Sequence, residues 1–183
     1  MSLSLLLWPA RSWPAGAGQQ WLRLSELPLP EYSDTRHDLA GRPDVREWPA
    51  GHERPLLEAT LHATDLVIAS PLYWYSVSTS AKRYLDYWVW WMYTPDAQFK
   101  ARMRGKTMWV ITVLSEEPEQ ASPLVDTLRR CAIYLGMSWG GVLTGDGNAP
   151  GDVLGDAAAL ARAATFFGGP GGDPASAAFP APG

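Results

Sequence analysis

A chain of 183 residues, 46% hydrophobic and 19% charged, is long enough for one domain with a sizeable core and is not disordered in composition. Its formal net charge of −4 and its three lysines, Lys82, Lys100 and Lys106, exclude a nucleic-acid surface, because phosphate neutralisation needs clustered cations. Cys131 is the single cysteine, which excludes an internal disulfide and a cysteine-based zinc site and suits a cytoplasmic protein.

Leu3–Trp8 is an apolar run stopped by Pro9. It has no basic flank and is far too short to span a bilayer, so it predicts a buried strand, not a membrane anchor or signal peptide. Pro9–Gln20 has no helical period and reads as a loop. Gln20–Leu24 alternates around Trp21 and Leu22 and predicts a second strand. Residues 27–53 are proline-rich and irregular. Pro55–Ala63 predicts a short amphipathic helix. Asp65–Pro71 is the clearest buried strand, a β-branched apolar run ending at proline. Ser78 or Thr79 can cap a helix from about Ser80 to Tyr93, ended by Pro95. Lys106–Leu114 predicts another strand, Ser115–Ser122 an acidic loop, and Pro123–Leu135 a helix closed by Gly136. Trp139–Thr144 predicts the last strand and Asp152–Phe167 a final alanine-rich helix. Residues 168–183 form a Pro/Gly/Ala-rich tail of disordered composition, leaving 1–167 as the domain.

This alternation predicts a parallel sheet with helices on both faces. Ligands of such sheets sit beyond the carboxyl ends of the strands, which singles out the loops 9–18, 71–79 and 115–122.

The segment Ser70-Pro71-Leu72-Tyr73-Trp74-Tyr75-Ser76-Val77-Ser78, followed by Lys82, Tyr84, Leu85 and Asp86, resembles the flavodoxin-like NAD(P)H-dependent oxidoreductases, which include FMN and quinone reductases. The resemblance continues through Phe99–Met103, Gly105-Lys106, Leu135-Gly136-Met137, Gly140–Leu143, Gly147 and Pro150-Gly151. It implies an α/β three-layer sandwich with a five-stranded parallel sheet in the order 2-1-3-4-5. It implies FMN as cofactor, NAD(P)H as donor and a small aromatic or quinone-like acceptor. Pro71, Leu72, Tyr73, Trp74, Tyr75 and Ser76 would lie against the flavin ring, with Ser115 reaching its other edge. A flat ring with polar edges calls for aromatic surface and backbone N–H donors, and this segment offers both. Tyr73 and Tyr75 are the catalytic candidates beside the ring.

One part of the family pattern is reduced. Its phosphate grip is a loop after strand one that runs into a long first helix. Here Arg11 and Ser12 stand where that loop would, and the interval before Gln20 is too short for a loop plus a three-turn helix. The first helix is therefore expected to be missing or rudimentary. Losing two or three charge-assisted hydrogen bonds weakens FMN binding by roughly 5 kcal/mol. The alternative is a flavin-free enzyme using the aromatic pocket for a cyclisation, dehydration or isomerisation, or a non-catalytic binding protein. In that case Glu116, after the fourth strand, becomes the candidate base.

The chain holds ten tryptophans, and Trp88, Trp90 and Trp91 crowd one helix. Such a wide apolar helix suggests a homodimer interface. His37, His52 and His62 lack metal-ligand spacing, so no metal is expected.

Overall fold

The computed structural model describes residues 17–34 and 48–168. Its centre is a parallel sheet of three strands, β1 (Asp65–Ala69), β2 (Thr107–Leu114) and β3 (Ser138–Asp146), in that order. β2 is the middle strand and is buried along nearly its whole length, as the β-branched run predicts for a strand covered on both faces. Among the described residues five helices surround it: α1 (Glu53–His62), α2 (Thr79–Trp91), α3 (Phe99–Met103), α4 (Ser122–Tyr134) and α5 (Ala157–Ala163).

The pleat sorts the core into two halves. Leu66 and Ile68 of β1, with Met108 and Val110 of β2, face a layer built from α1, α2, α3 and α4. Val67, Ala69, Trp109, Ile111, Val113 and Leu143 face the other way, toward Ala159 and Ala163 of α5 and Phe167. On that second face Trp109, Phe166 and Phe167 form a triad with ring centroids 4.9–5.1 Å apart. The indole of Trp109 also donates to Asp65 Oδ1 at 3.0 Å.

Several expectations change. Five strands were expected in the order 2-1-3-4-5, and three are described, corresponding to 3-4-5. Leu3–Trp8 lies outside the described residues. Gln20–Leu24 is not a strand: it is irregular and runs into a turn in which Glu26 and Leu27 donate to the Arg23 carbonyl at 2.9 and 3.2 Å. Leu22 and Leu24 pack on the α1–α2 layer without a ladder partner, and Pro28 and Pro30 lack the N–H that a continuing strand needs. The alternation was an apolar contact pattern, not a pairing pattern.

The final helix is also not continuous. Asp152–Gly155 is a single 3-10 turn, and α5 begins only after Asp156. The Asp156 carboxylate accepts from the N–H groups of Ala159 at 2.8 Å and Asp146 at 3.0 Å. These backbone donors hold its pKa below the ordinary 3.8. Asp156→Ala is expected to cost about 1 kcal/mol, the usual worth of such a cap. Because the folded pKa lies below the unfolded one, that gain is complete above about pH 4 and fades as pH falls through the folded value. Urea midpoints at pH 7 and pH 3 check this: the two proteins should differ at pH 7 and converge in acid.

The tryptophan-rich helix does not present a tryptophan surface. In α2, Trp88 and Trp91 are 5% and 0% exposed. They pack edge-on against Tyr84, each with centroids 5.6 Å away, and against Phe99. Trp90 meets Tyr32 at 6.4 Å. Trp88 and Trp91 thus fill this chain's own core while Trp90 is partly buried, so an interface between copies through this helix would rest on Trp90 and not on the other two rings. Tyr32 belongs to a strap whose carbonyls are captured one after another. Pro28 O meets His52 Nδ1 at 3.2 Å, Leu29 O accepts from Arg83 at 2.9 Å, and Pro30 O accepts from the Tyr87 hydroxyl at 3.3 Å.

Candidate functional site

All three strands point the same way, so their carboxyl ends share one edge of the sheet. The loop from Ser70 to Ser78 leaves β1 there. Pairing with β2 outlasts the strand itself: Ser70 N–H donates to Ile111 O at 3.0 Å and Leu72 N–H to Val113 O at 3.2 Å. Pro71 stands between them, at a position whose N–H would face away from β2, so its missing donor is not needed by that ladder. Tyr73 and Ser76 then exchange both backbone hydrogen bonds, at 2.9 and 3.0 Å, closing a two-residue hairpin.

The tip of that hairpin is unusual. Trp74 and Tyr75 have φ of 48° and 63°, the paired left-handed geometry that two-residue hairpins normally assign to Asn-Gly. Two bulky residues there cost about 1–2 kcal/mol each. Their side chains gain little packing in return: Trp74 is 94% exposed, and Tyr73 and Tyr75 are 53% exposed. Among the described residues, the N–H groups of Trp74, Tyr75 and Val77 donate to no backbone carbonyl. The loop thus offers three aromatic rings and a set of unspent donors at the carboxyl edge.

Ser70 fixes the loop from beneath. It is 2% exposed, and its hydroxyl accepts from Ser78 N–H at 2.8 Å while donating to Pro71 O at 3.0 Å. Ser78 in turn caps α2, accepting from Ala81 N–H at 3.4 Å. Ser70→Ala strands a part-buried N–H and is expected to cost about 1–3 kcal/mol. It should also loosen the hairpin, which faster amide exchange at Tyr73 and Ser76 would reveal. Ser70→Thr keeps the hydroxyl and should retain most of the protection.

Ser115 and Glu116 follow β2 at the same edge. Both are exposed, as are all residues from Ser115 to Gln120, so Glu116 is not enclosed between aromatic walls. Arg11 and Ser12 lie outside the described residues, as do His37 and the tail beyond Gly168. His52 and His62 touch backbone carbonyls, His62 at 2.7 Å from Glu58 O. Among the described residues no group of three or more His, Cys, Asp or Glu is placed to hold a metal ion. No helix among them is long and apolar enough to cross a membrane. Burial raises the pKa of the Cys131 thiol, which disfavours the reactive thiolate.

A cleft of about 910 Å³ runs along the outer side of β1, from Asp65 to Pro71 and Tyr73. Residues 17–25 form its opposite wall, and Leu56, Thr60 and Tyr84 line it from the helical layer.

The flavodoxin-like fold family matches residues 15–166. The chain belongs to this family. It is 30% identical over 155 residues to the Bacillus subtilis (strain 168) protein YwqN, covering 83% of each chain. That relative is named for an NAD(P)H-dependent FMN-containing oxidoreductase. Among solved structures it is similar to the Trp repressor binding protein from Bacillus subtilis, with a TM-score of 0.59 and 32% identity over 62% of this chain and 74% of that one. It also shares the fold of an FMN-dependent NADH-azoreductase from Bacillus anthracis str. Ames Ancestor, solved in complex with FMN. That match has a TM-score of 0.57 and 14% identity over 90% and 86% of the two chains.

In this flavodoxin-like chain the predicted residues Pro71, Leu72, Tyr73, Trp74, Tyr75, Ser76, Ser115 and Glu116 do come to one edge. Sequence reasoning missed the brace of Ser70, although a small polar residue ending a buried strand before proline was a usable signal. It also missed the Thr60–Tyr84 hydroxyl pair, 2.6 Å apart behind the cleft. Burial pushes the Tyr84 pKa up to about 12, so this phenol stays protonated and structural across the neutral range.

Proposed function

We propose that the chain is an FMN-dependent NAD(P)H oxidoreductase that reduces a small aromatic or quinone-like acceptor in the cytoplasm. The observation that carries this reading is the strained Tyr73–Ser76 hairpin. A fold that needed only a turn would be more stable with Asn-Gly at its tip. Retaining Trp74 and Tyr75 at a cost in strain favours a role for the loop in binding. The name of the 30% identical Bacillus subtilis relative supports the same chemistry.

The residues present fit a flavin ring. The free N–H groups of Trp74, Tyr75 and Val77 would meet its carbonyl and nitrogen edge, and Pro71, Leu72 and Tyr73 would supply apolar surface. FMN, when bound, supplies two-electron hydride transfer. The chain's own part is to orient the rings and exclude water from between them. The hydroxyls of Tyr73 and Tyr75 would donate to oxygen atoms of the acceptor, and Ser115 would approach the other ring edge. Arg11 and Ser12 would hold the phosphate, and Glu116 would take a proton role only in a flavin-free reaction.

The absorption spectrum of the purified protein, followed by FMN titration, tests the reading. Flavin bands, or saturable quenching of flavin fluorescence, are expected. A colourless protein that takes up no FMN would refute it and favour cofactor-independent chemistry.

A further inference from the structure

β2 has opposite charge at its two ends. Lys106 precedes it, and Glu116, Glu117 and Glu119 follow it. The asymmetry is wider than one strand. The intervals 97–115 and 127–145 hold no Asp or Glu, yet they contain Lys100, Arg102, Arg104, Lys106, Arg129 and Arg130. In a chain of net charge −4, the amino edge of the sheet is locally cationic.

Contacts gather part of that set into one patch. Lys100 Nζ lies 4.0 Å from the centre of the Tyr134 ring. Gly105 N–H donates to Gly136 O at 3.0 Å, and the Arg104 side chain runs along Gly136, its Cγ 3.4 Å from where a Cβ would stand. The end of α4 thus sits beside α3, with Ile133 62% and Tyr134 59% exposed. Arg102 and Lys106 have structural partners. Both donate to Leu61 O, at 3.5 and 3.1 Å, and Lys106 also donates to Ala63 O, closing the end of α1. Arg130 pairs with Asp126 at 2.7 Å. Lys100 and Arg104 pair with no carboxylate among the described residues. Two such cations are too few for a phosphate backbone. They suit a loop of carboxylates, and the Ile133 and Tyr134 surface beside them calls for an aromatic group in the same partner.

The carboxyl edge of the same fold offers that combination. Ser115–Gln120 is exposed throughout, and Glu116, Glu117 and Glu119 pair with no cation among the described residues. The bond from Leu72 N–H to Val113 O sets the aromatic hairpin beside this loop, with Trp74 94% exposed.

We infer that the amino edge around Lys100, Arg104, Ile133 and Tyr134 docks on the carboxyl edge of a second copy, against its acidic loop and aromatic hairpin. The contact is heterologous: each added copy leaves one edge of each kind open, so growth continues past two. A docked copy covers the hairpin, so a ligand bound there competes with association. That competition rests on the flavin reading, whereas the contact does not.

Sedimentation of the full chain across a concentration series tests the contact without flavin. Screening acts over about 30 Å at 0.01 M salt and about 3 Å at 1 M. At the lower salt the average mass should climb with concentration past that of a dimer, and at the higher salt the contact should weaken at least about tenfold. A monomer at every concentration, a species that stops at two copies, or indifference to salt overturns the inference. Charge reversal then asks which edges meet. Lys100→Glu with Arg104→Glu makes both edges acidic, and Glu117→Lys with Glu119→Lys makes both cationic. Each variant alone should stay monomeric, and an equal mixture should associate, because the reversed edges complement each other. Association that persists in either variant alone, or a mixture that stays monomeric, overturns the inference. Should a reversed chain fail to fold, Trp74→Ser on the exposed hairpin tip gives a second readout: it should weaken association at least about tenfold, and unchanged association overturns the inference. Excess FMN should weaken the contact at least about tenfold. Undiminished association while flavin fluorescence is quenched removes the competition, and absence of quenching removes the flavin reading and leaves the contact standing.

Discussion

Replacing Trp74-Tyr75 by Asn-Gly is expected to make the protein more stable and worse at holding an aromatic ligand. Both positions are left-handed, with φ of 48° and 63°. Glycine adopts that region freely and asparagine tolerates it, whereas Trp and Tyr do so at about 1–2 kcal/mol each. Trp74, at 94% exposed, gives up little folded-state packing when it is removed. The net gain is about 2 kcal/mol, or a rise in Tm of about 4–8 °C for a chain of this size. The rings lost are those offered to a ligand, so FMN affinity should fall about tenfold or more. Thermal melts and flavin titration read the two effects separately. A lower Tm would mean that the tip packs within the fold, and unchanged affinity would remove Trp74 and Tyr75 from the site.

Gly140→Ala is expected to be among the most damaging single changes in the sheet. The pairing of β2 with β3 shifts register between Met108 and Trp109, so that Trp109 lies opposite Gly141 and Gly140 is skipped. The indole of Trp109 lies over the skipped glycine. A Cβ at position 140 would stand 2.3 Å from the ring, well inside contact distance. The ring has nowhere to go. Asp65 holds its nitrogen at 3.0 Å and Phe166 and Phe167 flank it at 5.1 Å. Overpacking of this kind costs about 3 kcal/mol, which lowers Tm by about 6–12 °C. The cause is one pairwise clash, so a double-mutant cycle with Trp109→Leu should show strong coupling. The double variant should lose much less than the sum of the two single losses, and strict additivity would place the strain elsewhere.

The sheet and helices were legible where periodicity and length agreed. The Asp65–Pro71 run and the β2 run are strands because β-branched residues stack continuously, and Ser78 does cap α2. Reading failed where a local pattern had two physical uses. Leu22 and Leu24 alternate as a strand would, yet their alternation serves contact with the α1–α2 layer. The final helix reads as one amphipathic stretch, but the Asp156 side chain competes for backbone donors and restarts it. Trp88 and Trp91 looked like surface because a helix so wide in apolar residues exceeds what one neighbour can cover. Tyr84, and Phe99 of α3, close around them, and Glu53 of α1 accepts from the Trp91 indole at 2.7 Å. The position of the candidate loop was legible because proline ends β1 at the carboxyl edge of a parallel sheet. Its strain was not, since Trp-Tyr is the opposite of what a left-handed turn favours, and only the backbone angles reveal it.

The strap at Pro28–Pro30 has a consequence for the order of folding. Its three carbonyls are bound by residues 24, 54 and 57 positions further along the chain. Contacts over such separations form only after the intervening chain has been organised, because the loop they close is entropically costly until then. Two of the donors, Arg83 and Tyr87, sit one helical turn apart on α2, so the strap has no binding surface before that helix exists. The strap therefore docks late. It stabilises the native state against opening more than it accelerates the search for it, acting as a brake on unfolding and not as part of the nucleus.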